Sequence, residues 1–180
     1  RNDKYAGSIE KRCEFAAEII RLIRLELGSD YPIILRWSQW KMQNYEAKLA
    51  HNPKELEAFL NPLVTAGIDI FHCSQRRFWE PEFEKSHLNL AGWVKKISSK
   101  PTITVGSIGL DADFISNPDQ RGFSEAEPAS LNELLTRLDN NEFDLIAVGR
   151  ALISNPNWVK HIQNNEDQKI KSFKKEHLRQ

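Results

Sequence analysis

Apolar and polar residues follow two different periods along this chain, and the switches between them mark its elements. From Ile9 to Leu27 apolar residues recur every three or four positions, behind Ser8 and ahead of Gly28. Serine accepts from the free N–H groups of a first helical turn and glycine stops a helix, so the spacing predicts a helix there. In YPIILRW, residues Ile33, Ile34 and Leu35 form a short continuous apolar run, the pattern of a strand buried on both faces. Asn52-Pro53 opens a second helix that gathers Leu56, Phe59, Leu60, Leu63 and Val64 on one face and ends at Gly67. The strand IDIFHC (68–73) follows at once. A helix around 88–97 leads to the strand TITVG (102–106), a long polar loop, a helix over about 130–138 and the strand DLIAVG (144–149). A final turn of helix is expected near Asn155-Pro156.

The alternation of strand and helix occurs four times and implies parallel pairing through helical crossovers. Two architectures fit that order: an open doubly wound sheet and an arc of a (βα) barrel. Both put ligands beyond the carboxyl ends of the strands. The residues to inspect are therefore 36–40, 73–79, 106–109 and the pair Gly149-Arg150.

Composition narrows the chemistry. A chain of 180 residues suits one domain, read here as 1–180 with a C-terminal helix or tail over 166–180. With 40% hydrophobic and 28% charged residues and a mean hydropathy of −0.55, it has the make-up of a soluble globular protein. Its 25 basic and 25 acidic residues balance, so no field favours nucleic acid or an anionic membrane surface. No apolar run approaches the roughly 20 residues that span a bilayer. Cys13 and Cys73 lie far apart, which fits a reduced, cytoplasmic setting better than a disulfide framework. Small-molecule chemistry is what remains. The chain opens on Arg1 rather than methionine, so a piece of a longer protein is expected.

After the third strand, VGSIG brings Gly106 and Gly109 around Ser107, a backbone able to approach a ligand closely. After the fourth, Gly149 permits the same approach, and Arg150 adds a fixed cation suited to phosphate oxygens. Gly149-Arg150 and Gly106-Ser107 together read as the two halves of a phosphate clamp. The competing reading, tight strand exits beside a solvated arginine, explains either motif alone better than both on consecutive strands. In CSQRRFWEPEF, residues Arg76, Arg77 and Trp79 are candidate contacts for a substrate or nicotinamide. A structural cation–π and salt-bridge cluster with Glu80 competes with that role. His72-Cys73 is not read as a metal site, because adjacent strand residues point to opposite faces and no further ligand stands at suitable spacing.

Three stretches carry a resemblance. RNDKYAGSIEKR resembles the block R-x-D-x-Y-G-G-S-x-E-N-R of the old yellow enzyme family, FMN-dependent ene-reductases and NADH:flavin oxidoreductases. Arg1, Asp3, Tyr5, Gly7, Ser8, Glu10 and Arg12 match it, while Ala6 and Lys11 depart from it. ILRWSQW resembles that family's fifth barrel strand with its R-x-S ending, and DLIAVGRALISNPNW is similar to its closing segment.

The resemblance implies a (βα)8 barrel of which this chain is about the C-terminal half, strands five to eight. It implies that Arg36 sits beside the N1 and C2 carbonyl edge of FMN, and that Gly106, Ser107, Gly149 and Arg150 bind the FMN phosphate. It implies NADH or NADPH as reductant and an activated alkene or enone as the small-molecule substrate. The catalytic residues are expected in the first half of the barrel and are not assigned here. Half a barrel would expose edge strands and an apolar inner face, so the expected partner is the missing half or a second copy. Two other readings stay open at this point: a non-catalytic chain that holds FMN or phosphate without turnover, and a flavin-free barrel enzyme acting on a sugar phosphate.

Overall fold

A computed structural model describes residues 2–41, 43–114 and 124–179. Arg1, which opens the first motif, and residues 115–123 of the long polar loop lie outside the described residues.

Helix α1 (Ile9–Leu27) begins where Ser8 accepts from the Lys11 N–H, and it ends at Gly28, whose φ of +79° is the left-handed stop that glycine supplies. Strand β1 (Ile34–Ser38) follows, then helix α2 (Pro53–Thr65), with Asn52 capping the Glu55 N–H. Strand β2 (Ile70–Ser74), helix α3 (Leu90–Ser98) and strand β3 (Thr102–Val105) continue the alternation. Helix α4 (Asn132–Asp139) leads to strand β4 (Leu145–Ile146), helix α5 (Arg150–Ser154) and helix α6 (Trp158–Gln163). Two short 3₁₀ turns, Asp167–Lys169 and Lys175–Arg179, complete the described chain.

The strands form one parallel sheet in the order β1-β2-β3-β4. Two boundaries differ from the sequence expectation. β4 covers two residues rather than six, because its ladder to β3 pairs only Leu145 and Ile146 and ends with the Ala147 N–H on the Thr104 carbonyl. A helix also starts at Arg150, directly after Gly149, ahead of the turn expected at Asn155-Pro156.

The core lies between the sheet and its helices. Phe71 and Cys73 of β2 are fully buried there, with Leu56, Leu60 and Leu63 of α2 and Leu90 and Val94 of α3. α1 lays Cys13, Ala17 and Ile20 into the same core. Both cysteines are free thiols, and burial pushes the Cys13 thiol up to about 12. The C-terminal segment is docked rather than loose, since Phe173 is fully buried and bridges to Ala126.

Candidate functional site

Strand register decides which side chains meet. Arg36 of β1 stands beside His72 of β2, His72 beside Ile103 of β3, and Ile103 beside Leu145 of β4. These residues share the face opposite Phe71 and Cys73, because side chains alternate along a strand. Arg36 Nη1 lies 2.5 Å from His72 Nε2, and its Nη2 donates to Ser74 Oγ at 3.0 Å. Burial, and then the charge of Arg36, holds His72 below the usual histidine range, so the ring accepts from Arg36 as a neutral imidazole. Among the described residues no carboxylate pairs with Arg36, whose cation therefore stays uncompensated on the sheet face.

The exits of β3 and β4 are built for close approach. Gly106 has φ +142°, and a Cβ placed on it would come within 2.8 Å of the Gln75 carbonyl oxygen, so a larger residue does not fit. Ser107 follows at φ +53°, with Oγ 3.0 Å from the Arg76 carbonyl oxygen and 3.1 Å from that of Ala112. At Gly149 the situation is reversed. A Cβ there would meet no heavy atom within 4 Å, so the space beside this backbone is open.

Arg150 turns its guanidinium toward carbonyls rather than into open space. Nη2 donates to Ala112 O at 2.5 Å, and Nη1 donates to Asp113 O at 3.3 Å and Ser124 O at 3.2 Å. Its carbon lies 5.3 Å from the centre of the Phe173 ring. Carbonyls satisfy the N–H groups but cancel no net charge, and burial pulls the guanidinium below its ordinary range.

Arg36, Gly106, Ser107, Gly149 and Arg150 all line a single cavity of about 300 Å³ beyond the carboxyl ends of the strands, together with Trp40, Arg76 and Phe114. The indole N–H of Trp40 is buried without a partner among the described residues. A second cavity of about 300 Å³ adjoins it, lined by Tyr45, Lys48, Arg77, Glu80 and Glu82, with Trp40, Ser74, Gln75 and Arg76 common to both.

The loop after β2 is held by ion pairs. Arg77 Nη1 donates to Glu80 at 2.6 Å, and both Arg76 and Arg77 reach the buried carboxylate of Asp113. The Arg76 guanidinium carbon sits 4.8 Å from the centre of the Tyr45 ring. Trp79 lines neither cavity; it packs edge-on against Phe78 at 5.2 Å, and its carbonyl accepts from Arg137 Nη2 at 3.1 Å. In the second cavity Glu82 accepts from Gln39 Nε2 at 3.0 Å and faces Lys48, and burial raises it above the ordinary carboxylate range.

Sequence reasoning missed Asp113 and Arg137, which carry no positional signal, and placed Trp40 in the range 36–40 without giving it a role.

The donor set fits a flavin nucleotide. An open cradle at Gly149, a partnerless buried indole N–H and two cations without an ion-pair partner among the described residues surround one cavity. These features suit a phosphate at the Gly106 and Gly149 end and an electron-rich edge at Arg36.

Residues 1–121 match the family model described as the NADH:flavin oxidoreductase / NADH oxidase family. The chain is 30% identical over 179 residues to an NADH oxidase of Thermoanaerobacter brockii, covering 95% of this chain and 24% of that protein. It is 29% identical over 167 residues to an NADPH dehydrogenase of Clostridium acetobutylicum, covering 88% of this chain and 41% of that protein. Among solved structures, the old yellow enzyme homologue of Zymomonas mobilis superposes with a TM-score of 0.62 at 16% identity, over 92% of this chain and 40% of that one. The chain thus spans less than half the length of these relatives. The fold is that of a partial (βα) barrel.

Proposed function

Because this chain belongs to the NADH:flavin oxidoreductase / NADH oxidase family, we propose that it supplies the phosphate end and the N1 edge of an FMN site. The enzyme so formed would pass hydride from NADH or NADPH to an activated alkene or enone. FMN, when bound, supplies two-electron hydride exchange that amino-acid side chains lack. Everything else falls to the protein.

Arg36 holds a fixed cation where a reduced flavin gathers negative charge, and the neutral His72 ring orients it without adding a second charge. Gly106, Ser107 and Gly149 let the backbone approach the phosphate, and Arg150 contributes positive potential from behind the carbonyls it binds. Arg77, at the second cavity, would face the substrate or the nicotinamide, while Arg76 stands in the wall between that cavity and the flavin cavity and reaches both. What supports the reading most is the convergence of Arg36, Gly106, Ser107, Gly149 and Arg150 on one cavity.

The relatives named NADH oxidase and NADPH dehydrogenase support a nicotinamide as reductant and leave either form open. A second reading, a chain that holds FMN without turning over, rests on the same cavity, whose lining would bind a flavin whether or not turnover follows. NADH oxidation with added FMN separates the two, since only a catalytic assembly consumes NADH. A titration with FMN against a sugar phosphate tests both at once. Uptake of FMN with a changed visible spectrum is expected, whereas uptake of the sugar phosphate alone would overturn the flavin assignment.

A further inference from the structure

The loops that follow all four strands converge around one residue, Asp113. Asp113, between β3 and α4, has a fully buried side chain. Its Oδ2 accepts from Arg76 Nε at 3.0 Å and Nη2 at 2.6 Å, and lies 3.2 Å from Arg77 Nη2. That joins it to the loop after β2. Through the Arg76 guanidinium, stacked 4.8 Å from Tyr45, it reaches the loop after β1. Its own carbonyl accepts from Arg150 Nη1 at 3.3 Å, which adds the exit of β4.

Charge explains why a carboxylate is needed at this point. Arg76 and Arg150 line the same cavity, Arg77 lines the adjoining one, and like charges crowded into a partly buried rim repel. One buried carboxylate with two guanidiniums offsets part of that repulsion and fixes the side-on direction of Arg76. The direction matters because Arg76 is part of the wall common to both cavities, and its backbone abuts Gly106, where a Cβ would come within 3.1 Å of the Arg76 carbonyl carbon.

We propose that Asp113 is the positioning residue of this site: it aims Arg76 at the cavity and holds the loop after β2 against Gly106-Ser107, so that positive charge meets the phosphate of a flavin nucleotide. The proposal rests on the FMN reading above, and its test keeps the two apart. Wild type, Asp113→Asn, Arg76→Gln and the double variant are titrated with FMN and with riboflavin, which lacks the phosphate. The folded wild type and Asp113→Asn are also digested with trypsin, which cuts after Arg76 and Arg77.

The expected result is a loss of about tenfold in FMN affinity for Asp113→Asn and for Arg76→Gln, with riboflavin affinity held within about twofold. The double variant should be no weaker than the weaker single one, and cleavage at Arg76-Arg77 should speed up in Asp113→Asn. Equal losses for both flavins, additive losses in the double variant, or unchanged FMN affinity would each overturn the proposal. If Asp113→Asn does not fold, Arg76→Gln carries the same comparison of FMN with riboflavin. A wild-type chain that binds neither flavin would contradict the FMN reading, and cleavage would then decide the loop-holding role alone: faster in Asp113→Asn supports it, unchanged overturns it.

Discussion

At the scale of single residues, the two glycines of the site do opposite things. Gly106 lets two backbones approach, whereas Gly149 leaves a space open. Gly106→Ala forces an alanine to φ +142° against the Gln75 carbonyl and should destabilise the fold by about 1 to 3 kcal/mol, read as a lower urea midpoint. His72 gives a pH dependence whose sign follows from its lowered value. Between the folded and the unfolded value the unfolded chain binds more protons, so stability rises with pH across that interval. His72 thus leaves the fold at full stability above the ordinary histidine range and weakens it as pH falls through that range toward the folded value. Urea unfolding at a series of pH values should show this acid slope in the wild type and a shallower one in His72→Gln.

At the scale of elements, the parts that carry local signals were legible and the parts made by distant contacts were not. Ser8 and Gly28 bracket α1, and Asn52-Pro53 opens α2, because caps and periodicity act within a few residues. The length of β4 depends on how far β3 pairs with it, which its own apolar run does not reveal. The residues expected to hold FMN could be named because they follow strand ends and match family motifs. Asp113 could not, since it stands in an aperiodic polar loop and its partner Arg76 lies 37 positions away. Asn89 belongs to the same class of residue: fully buried, it caps α3 by accepting from the Gly92 N–H at 2.9 Å and donates to the Phe78 carbonyl at 2.8 Å. Asn89→Ala removes the cap and leaves a buried carbonyl short of a donor, and should cost about 2 to 3 kcal/mol in chemical unfolding.

At the scale of the whole molecule, a four-stranded parallel sheet has two open margins. β1 and β4 form them, and Ile34 and Leu145 on the inner face are 52% and 50% exposed. α1 adds Phe15, Ile19 and Leu22 on the side away from α2, with Leu22 65% exposed. Apolar faces of this kind seek a cover, and further strands of the same barrel or a second copy would both provide one. The cavity lies beyond the carboxyl ends of the same strands, and Arg36 belongs both to its lining and to the face that carries Ile34. The claim on which the rest depends is that this sheet holds a flavin with Arg36 at its electron-rich edge. The measurement that tests it most directly is the affinity of the chain for oxidised and for reduced FMN, in the wild type and in Arg36→Ala. The wild type should bind both and prefer the reduced form, and Arg36→Ala should lose about tenfold of that preference, roughly the 1.4 kcal/mol expected of one fixed cation beside a developing charge. A folded chain that takes up no FMN, or a preference for the reduced form that survives Arg36→Ala unchanged, would contradict the account.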